Sequence, residues 1–183
     1  TLFLANNYYG DVSFSQKCTI PLTSGFSHIL LADVNGESKI DAIVVSLAPN
    51  GTYRYNYYTY EVDRFVYNYK GFNTNGSTGI AGDFNGDGKF EILVKENQKV
   101  FNGEGQEIAS GGIDNWGKMY AYCFPNNNYL SDFNGNGKTD ILVLNETGSW
   151  AYELNGNSFT KLTSFSNSML NNTYFPYLGD FNG

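Results

Sequence analysis

The stretch GDFNGDGKFEILV, residues 82–94, carries oxygen-bearing side chains at alternate positions of a short, glycine-rich segment. Counted from the first aspartate, Asp83, Asn85, Asp87 and Glu91 stand at positions 1, 3, 5 and 9. These residue types at this spacing admit three chemistries: a metal site, a tight turn held by side-chain hydrogen bonds, or the acid pair of an enzyme.

The same pattern occurs in two further stretches and begins in a fourth. Positions 1, 3, 5, 7 and 9 are Asp33, Asn35, Glu37, Lys39 and Asp41 in loop 1, Asp83, Asn85, Asp87, Lys89 and Glu91 in loop 2, and Asp132, Asn134, Asn136, Lys138 and Asp140 in loop 3. Asp180 and Asn182 are positions 1 and 3 of a fourth loop. A single active site does not require copies in one register, so the recurrence argues against the acid pair.

The donor set of each loop is typical of calcium. Side-chain oxygens at positions 1, 3, 5 and 9, with a main-chain carbonyl at position 7, approach the 6–8 oxygen ligands that Ca²⁺ takes, whereas Mg²⁺ demands a stricter octahedron. An EF-hand is excluded because its position 12 is a bidentate glutamate, and here that position is Val44, Val94 or Val143. We expect about two to three bound Ca²⁺ ions, roughly one per complete loop.

The copies differ in charge. Asp-x-Asn-Gly also forms a turn without metal, through side-chain hydrogen bonds to the backbone, but oxygen at the same four positions in each copy favours calcium. Loops 1 and 2 each contribute three carboxylates, whereas loop 3 contributes two because Asn136 occupies position 5. We therefore predict that loop 3 binds most weakly. Loop 1 has Glu37 and Ser38 where loop 2 has Asp-Gly, which puts its geometry in question.

The position-1 aspartates also define an internal repeat, because they lie 50, 49 and 48 residues apart. A period near 50 is typical of propeller blades. Each unit runs from a short apolar segment through the loop to a β-rich run and then to alternating, turn-punctuated segments, which predicts about four short strands per unit. The sequence therefore predicts an all-β protein, a β-propeller of about four units of roughly 50 residues with four antiparallel strands per blade.

The period also assigns the boundaries. Residues 1–25 are predicted to be the second half of a blade, 26–76 repeat 1, 77–126 repeat 2, 127–174 repeat 3 and 175–183 the start of repeat 4. So few repeats suggest part of a larger propeller, with a closed four-bladed ring as the alternative. An open end would expose unpaired strand edges, which favours self-association or pairing with the rest of a larger propeller.

The motifs DFNGDGKFEILV and DFNGNGKTDILVL resemble the FG-GAP/VCBS-type repeat of integrin α-chain head domains and of many bacterial surface and secreted proteins. The resemblance covers the four loops and, through their period, essentially the whole chain. It implies a β-propeller, usually seven-bladed, with calcium held in the loops between the first two strands of its blades. The ligands that it implies are the positions given above.

Composition narrows the function classes. The 41% hydrophobic and 16% charged residues indicate a globular chain. A net charge of −7, with eleven scattered Lys and Arg residues, argues against nucleic acid as a partner, and no apolar run is long enough for a membrane helix. No second Cys or His lies at metal-ligand spacing from Cys18, Cys123 or the single His28. The sequence leaves open whether the two cysteines form a disulfide bridge.

The leading hypothesis is a non-enzymatic, calcium-binding interaction or scaffold module, secreted or on a cell surface, in a bacterium by its composition. Its ligand would be a protein or a glycan. One alternative is a lectin-like propeller, in which Tyr53, Tyr55 and Tyr57 share a strand face that could stack on sugars, although aromatic packing between strands explains them better. The other is a shell or scaffold portion of a larger bacterial RHS/toxin-type protein or enzyme.

Overall fold

A computed structural model of the protein describes residues 2–8, 11–20, 22, 24–62, 64–114, 118–120, 131–145 and 148–165. Every regular element in these ranges is a β-strand, which confirms the all-β prediction. The described ranges contain no helix long and apolar enough to cross a lipid bilayer. The strands are β1 (Leu2–Tyr8), β2 (Asp11–Cys18), β3 (Phe26–Ala32), β4 (Asp41–Leu47), β5 (Tyr53–Glu61), β6 (Arg64–Thr74), β7 (Gly79–Gly82), β8 (Glu91–Val94), β9 (Lys99–Phe101), β10 (Glu107–Ser110), β11 (Lys118–Tyr120), β12 (Ile141–Asn145), β13 (Gly148–Asn155) and β14 (Ser158–Phe165).

The strands form three four-stranded sheets and one hairpin, all antiparallel. Strands β3–β6 make the first sheet, β7–β10 the second and β11–β14 the third, and each is a meander in which consecutive strands pair. The hairpin β1–β2 is a separate two-stranded sheet. Short apolar runs pair with alternating segments through tight turns, the arrangement that the sequence pattern predicts for each unit.

The sheets stack face to face in chain order, and β8 shows how. All four of its residues are buried. Ile92 and Val94 enter the core between the first and second sheets, while Leu93 enters the core between the second and third. Because successive strand residues point to opposite faces, the second sheet is apolar on both sides and is buried between its neighbours.

Aromatic side chains fill the core between the first two sheets. The ring of Phe72 stacks on Tyr55 with centroids 4.5 Å apart and on Phe101 with centroids 3.7 Å apart. Tyr57 meets the edge of the Phe72 ring at 6.2 Å. Since Phe101 lies in the second sheet, this cluster joins the two sheets through large apolar surfaces.

The third sheet begins earlier in the chain than the motif period suggests. Its first strand, β11, is Lys118–Tyr120 and pairs with β12 from Leu142 to Leu144. β11 lies within residues 77–126, the range that the period assigns to repeat 2. The apolar segment that the sequence places directly before Asp132 lies mostly outside the described residues, as do Cys123 and the start of repeat 4.

We predict that Ile92→Ala and Leu93→Ala each lower the free energy of unfolding by about 2–5 kcal/mol, the usual cost of truncating a large core side chain to alanine. The two residues are neighbours but face different cores, so comparable losses would show that both sheet interfaces contribute. Urea denaturation followed by fluorescence measures the change.

Leu162→Ala is the control, because Leu162 lies in β14 with 36% of its surface exposed. We expect its effect to stay within about 0.5 kcal/mol. A Leu93→Ala protein as stable as the parent would contradict the burial of the second sheet on both faces.

Candidate metal-binding loops

The three loops occupy equivalent places in the sheets. Loop 1 joins β3 to β4, loop 2 joins β7 to β8, and loop 3 leads directly into β12. The residue at position 2 anchors the loop, since Val34 lies in the core between the first and second sheets and Phe84 in the core between the second and third. Loops 1 and 2 are therefore held between a strand and the next core, whereas Phe133, at position 2 of loop 3, is 39% exposed.

The aspartate at position 1 organises the loop backbone. One carboxylate oxygen of Asp83 accepts the N–H groups of Gly86 and Asp87 at 2.7 and 3.0 Å, and the other accepts that of Gly88 at 2.9 Å. Asp33 and Asp132 accept hydrogen bonds from the corresponding N–H groups of loops 1 and 3. Because buried or turning backbone needs partners for its N–H groups, this carboxylate holds the loop closed.

Positions 3 and 5 continue the same scheme along the loop. The side-chain oxygen of Asn85 accepts the N–H of Asp87 at 2.8 Å, and that of Asp87 accepts the N–H of Lys89 at 2.9 Å. Asn134 and Asn136 accept the equivalent bonds in loop 3. These are the side-chain turns that Asn and Asp favour, so the tight-turn interpretation is also correct for these loops.

The acid at position 9 is buried in every loop. Asp41, Glu91 and Asp140 are at most 1% exposed, and each accepts the N–H of position 2, at 3.3, 2.9 and 2.7 Å respectively. Burial raises the pKa of Asp41 to about 6, that of Glu91 to about 8 and that of Asp140 to about 7. Neighbouring carboxylates also contribute to these raised pKa values, those of the same loop and, for Asp140, Glu153 as well.

In loop 2, the side-chain amide of Asn85 contacts two of the loop acids. The amide nitrogen of Asn85 donates to a carboxylate oxygen of Asp87 at 3.2 Å and to one of Glu91 at 3.1 Å. The partially positive NH₂ group therefore lies between two carboxylates. A carboxylate pair arranged in this way favours positive charge at that point.

Successive loops are linked to one another through their backbones. The carbonyl of Asp33 accepts the N–H of Phe90 at 2.8 Å, and the carbonyl of Asp83 accepts the N–H of Thr139 at 2.7 Å. In both cases position 1 of one loop pairs with position 8 of the next. The three loops thus form one stack along the edge of the sheets.

Glycine at position 4 is required by this stacking. Gly36 and Gly86 have φ values of +80° and +79°, which L side chains rarely adopt. A Cβ atom there would lie 3.0 Å from the Cγ of Lys89 or 3.1 Å from that of Lys138, the position-7 residues of the following loops. The position-7 lysines therefore cover the glycines of the preceding loop.

Loop 1 keeps the common geometry despite its departure in sequence. Ser38 adopts φ +60° where loops 2 and 3 have Gly88 and Gly137 at +84° and +85°. Its N–H donates to Asp33 at 2.6 Å, as the glycine N–H groups do to their aspartates. The serine is accommodated at the cost of a strained backbone.

Loop 3 has a partner that motif analysis missed. Glu153 of β13 accepts hydrogen bonds from the side-chain amides of Asn134, at 2.6 Å, and of Asn136. It also pairs with Lys138 at 3.5 Å. Glu153 is distant in sequence from loop 3, and only the β12–β13 pairing, in which Ile141 lies opposite Tyr152, brings it there.

Two groups of predicted site residues are not part of these three loops. Asp180 and Asn182 fall outside the described residues. Tyr55 and Tyr57 are fully buried in the core, where their hydroxyls donate to the carbonyls of Gly76 and Asn102, and Tyr53 packs against the same cluster. The sugar-stacking hypothesis for this tyrosine set is therefore corrected: Tyr55 and Tyr57 have no free face, because they form the contact between sheets.

No three His, Cys, Asp or Glu side chains within the described ranges are grouped so that they could hold a metal ion by themselves. The acids at positions 1 and 9 bind backbone N–H groups instead, and positions 3 and 7 would contribute an amide and a carbonyl. A cation in these loops would need the amide oxygen of position 3 and the carbonyl oxygen of position 7 in addition to the acids.

Residues 132–183 match the family model of the FG-GAP-like repeat. The match starts at Asp132, position 1 of loop 3, and includes β12–β14 and the start of the fourth loop. It confirms the resemblance for this part of the chain. No curated protein and no solved structure matches the chain significantly.

We predict that, in the presence of chelator, the protein becomes less stable as the pH rises from about 5 to about 8. The pKa of Glu91 is raised from 4.5 when unfolded to about 8 when folded, so over this range the folded state binds a proton that the unfolded state has lost. Glu91→Gln should remove the part of the slope between about pH 7 and pH 8, because the raised pKa values of Asp41 and Asp140, about 6 and about 7, contribute at lower pH. Urea midpoints measured across this pH range test it.

Glu107→Gln is the matched control, because Glu107 is an exposed glutamate of the same sheet that pairs with Lys99. It should keep the slope of the parent protein. A slope between about pH 7 and pH 8 that persists in Glu91→Gln would show that another group is responsible.

We further predict that Ser38→Gly stabilises the protein and that Gly88→Ser destabilises it, each by about 0.5–1 kcal/mol. A left-handed conformation costs a non-glycine residue roughly 1–2 kcal/mol, part of which glycine loses again through backbone entropy. Nothing lies within 4 Å of a Cβ at Gly88, so the effect reports the backbone alone. Thermal unfolding of both variants measures it, and equal signs would contradict the shared loop geometry.

Proposed function

We propose that the chain is a calcium-stabilised β-propeller module of the FG-GAP-like type, with a non-enzymatic role as an interaction or scaffold unit. The observation that carries this proposal is that the same oxygen-bearing loop occurs at the same point of successive sheets. The match of residues 132–183 to the FG-GAP-like repeat supports the same assignment for the part that includes loop 3.

The stacking of the sheets supports the propeller. Each sheet is a four-stranded antiparallel meander, and the sheets pack face to face in chain order through two apolar cores. Four-stranded meanders repeated radially are the blades of a propeller. The two-stranded hairpin β1–β2 corresponds to the outer half of a preceding blade, which touches β6 of the first sheet.

The donor set of the loops fits calcium. Each loop holds a carboxylate at position 9 that is buried among other carboxylates, and in loop 3 the Oδ1 atom of Asp140 is buried with no hydrogen-bond partner. In loop 2, Asp83, Asp87 and Glu91 would bind through carboxylates, Asn85 through its amide oxygen and Lys89 through its carbonyl. Bound Ca²⁺ would supply the positive charge that compensates these buried acids.

The hydrogen bonds argue against an enzymatic role for the loop acids. Both oxygens of the position-1 aspartate accept loop N–H groups, so this carboxylate has a structural role in closing the loop. Burial raises the pKa of Glu91, and it raises the pKa of the position-9 acid in the other two loops in the same way. The raised pKa is therefore a property of the loop structure and does not single out a catalytic acid. A set of equivalent sites on successive sheets suits a stabilising role.

The proposed location is outside the cell or on its surface, in a bacterium, because sites of exposed Asn and Asp oxygens suit the millimolar calcium found there. The proposed ligand is a protein or a glycan bound on the faces of the stacked sheets. Nucleic acid does not suit a net charge of −7.

The first sheet offers a surface for a further blade. On the face of β3 that points away from the second sheet, Leu31 is 63% and Ile29 is 38% exposed. The corresponding residues of β7, Ala81 and Gly79, pack against the first sheet. We therefore propose that the inner strands of the blade whose outer half is β1–β2 cover Leu31 and Ile29, supplied by the rest of a larger propeller or by self-association.

We predict that millimolar Ca²⁺ raises the melting temperature of the chain and that equal Mg²⁺ does so much less. Binding to the folded state alone stabilises it by about 2.7 kcal/mol at a free concentration of 100 times the dissociation constant. Differential scanning fluorimetry with each cation, and calorimetry for the stoichiometry, measure the effect. We expect about two to three ions per chain, roughly one per loop.

Asp87→Asn tests whether the stabilisation comes from the loops. Asp87 is exposed and accepts the N–H of Lys89 through one oxygen, which asparagine can also do. Its other oxygen accepts from Asn85 at 3.2 Å, and the loss of that exposed bond costs little because water replaces it. This variant should therefore keep its stability in chelator and lose part of the calcium-dependent gain. A melting temperature that does not respond to calcium would refute the proposal.

A further inference from the structure

Loop 3 has fewer acids than loops 1 and 2, and the third sheet brings another acid to it. The carboxylate of Glu153 is 12% exposed and contacts three residues of the loop. It accepts from the amide of Asn134 at 2.6 Å and from that of Asn136, and it lies 3.5 Å from the ammonium of Lys138. These residues are positions 3, 5 and 7, and Glu153 contacts their side-chain nitrogens. The proposed site would use the amide oxygens of Asn134 and Asn136 and the main-chain carbonyl of Lys138 as ligands.

We propose that Glu153 is a calcium ligand of loop 3 and replaces the carboxylate that Asn136 lacks at position 5. This inference rests on the proposed calcium binding and adds a ligand from outside the loop. Loop 3 then has three carboxylates, Asp132, Asp140 and Glu153, the number that loops 1 and 2 carry within their own sequences. The count of acids in the loop alone therefore underestimates its affinity.

A second observation at this site points to a missing positive partner. Asp140 is fully buried, and its Oδ2 accepts the N–H of Phe133 at 2.7 Å. Its Oδ1 is buried and has no hydrogen-bond partner in the structure. A buried carboxylate oxygen without a partner costs free energy, and a cation held between Asp140 and Glu153 would satisfy it.

The strand register explains why Glu153 can reach loop 3. Ile141 pairs with Tyr152, so Glu153 lies across from Asp140, the position-9 acid. The residue across from the position-9 acid is Thr59 in the first sheet, next to the Ala42–Tyr58 pair. In the second sheet it is Asn102, next to the Ile92–Phe101 pair. Glutamate thus occupies this place only in the sheet whose loop has Asn at position 5, among the three loops that the structure describes.

Lys138 balances the charge of Glu153 in the structure without metal. Its ammonium lies 3.5 Å from Glu153 and donates to the carbonyl of Leu154 at 3.2 Å. For a cation to be bound by Glu153, the ammonium must move away, and Lys138 is long and flexible enough to keep its bond to Leu154. Lys89 of loop 2 and Lys39 of loop 1 have no equivalent glutamate from a neighbouring strand among their ion pairs in the described chain.

The test is a calcium titration of the full chain followed by the amide NMR signals of the loop glycines. Gly135 and Gly137 report loop 3, and Gly86 and Gly88 report loop 2. In Glu153→Gln the affinity of loop 3 should fall by about 10-fold or more, the scale on which residues around a metal site change its affinity. The affinity of loop 2 should not change.

Glutamine keeps an oxygen that can accept from both asparagine amides, so a purely structural role for Glu153 would leave calcium affinity unaltered. Asn136→Asp added to Glu153→Gln should restore binding at loop 3, because it returns a carboxylate to position 5. Glu107→Gln removes an exposed, lysine-paired glutamate of the second sheet and should alter neither loop.

The outcomes separate this inference from the proposed function. If calcium moves the signals of loop 2 and not those of loop 3, or if Glu153→Gln titrates like the parent, the role of Glu153 is refuted while calcium binding stands. If no glycine signal in any loop responds to calcium, the proposed function fails, and this inference fails with it. Failure of Asn136→Asp to rescue a folded Glu153→Gln protein would also overturn the replacement.

Discussion

Each loop depends on the carboxylate of its position-1 aspartate. In loop 2, the two oxygens of Asp83 accept three backbone N–H groups, while its main-chain carbonyl accepts the N–H of Thr139 from the next loop. One residue therefore closes its own loop and fixes the distance to the following sheet. Asp33 makes the same bonds to its own loop and to Phe90 of the next loop. The residue that closes each of these loops therefore also links one sheet to the next.

This arrangement has an electrostatic consequence. Closing the loop over the strand that follows buries the position-9 acid, and burial raises the pKa of Glu91 to about 8 and that of Asp140 to about 7. The neighbouring carboxylates add to the effect, so the loops hold negative charge at a free-energy cost. A bound cation would offset that cost, which would link the stability of the sheets to the ion that the loops are proposed to bind.

Much of the fold could be predicted from the sequence, because its signals are local. Alternation and turn residues predict the strands, and the recurrence of Asp-x-Asn-Gly places the loops before β4, β8 and β12. The start of the third sheet was harder to predict: β11 lies at Lys118–Tyr120, before the apolar segment that leads into Asp132. Extra glycine and aromatic residues around Trp116 obscure the repeat pattern at that point. The pairing of β11 with β12 joins residues more than twenty positions apart, and such pairing has no local sequence signal.

The sequence by itself determined the oxygen-bearing positions within each loop, because their spacing follows from how a glycine-rich loop turns. It also determined that tyrosines lie on one face of β5, but not whether that face meets solvent or another sheet. Only the tertiary structure decided that Tyr55 and Tyr57 are core residues and that Glu153 faces loop 3. Both depend on which strands pair and which sheets stack, and such contacts join residues far apart in the chain.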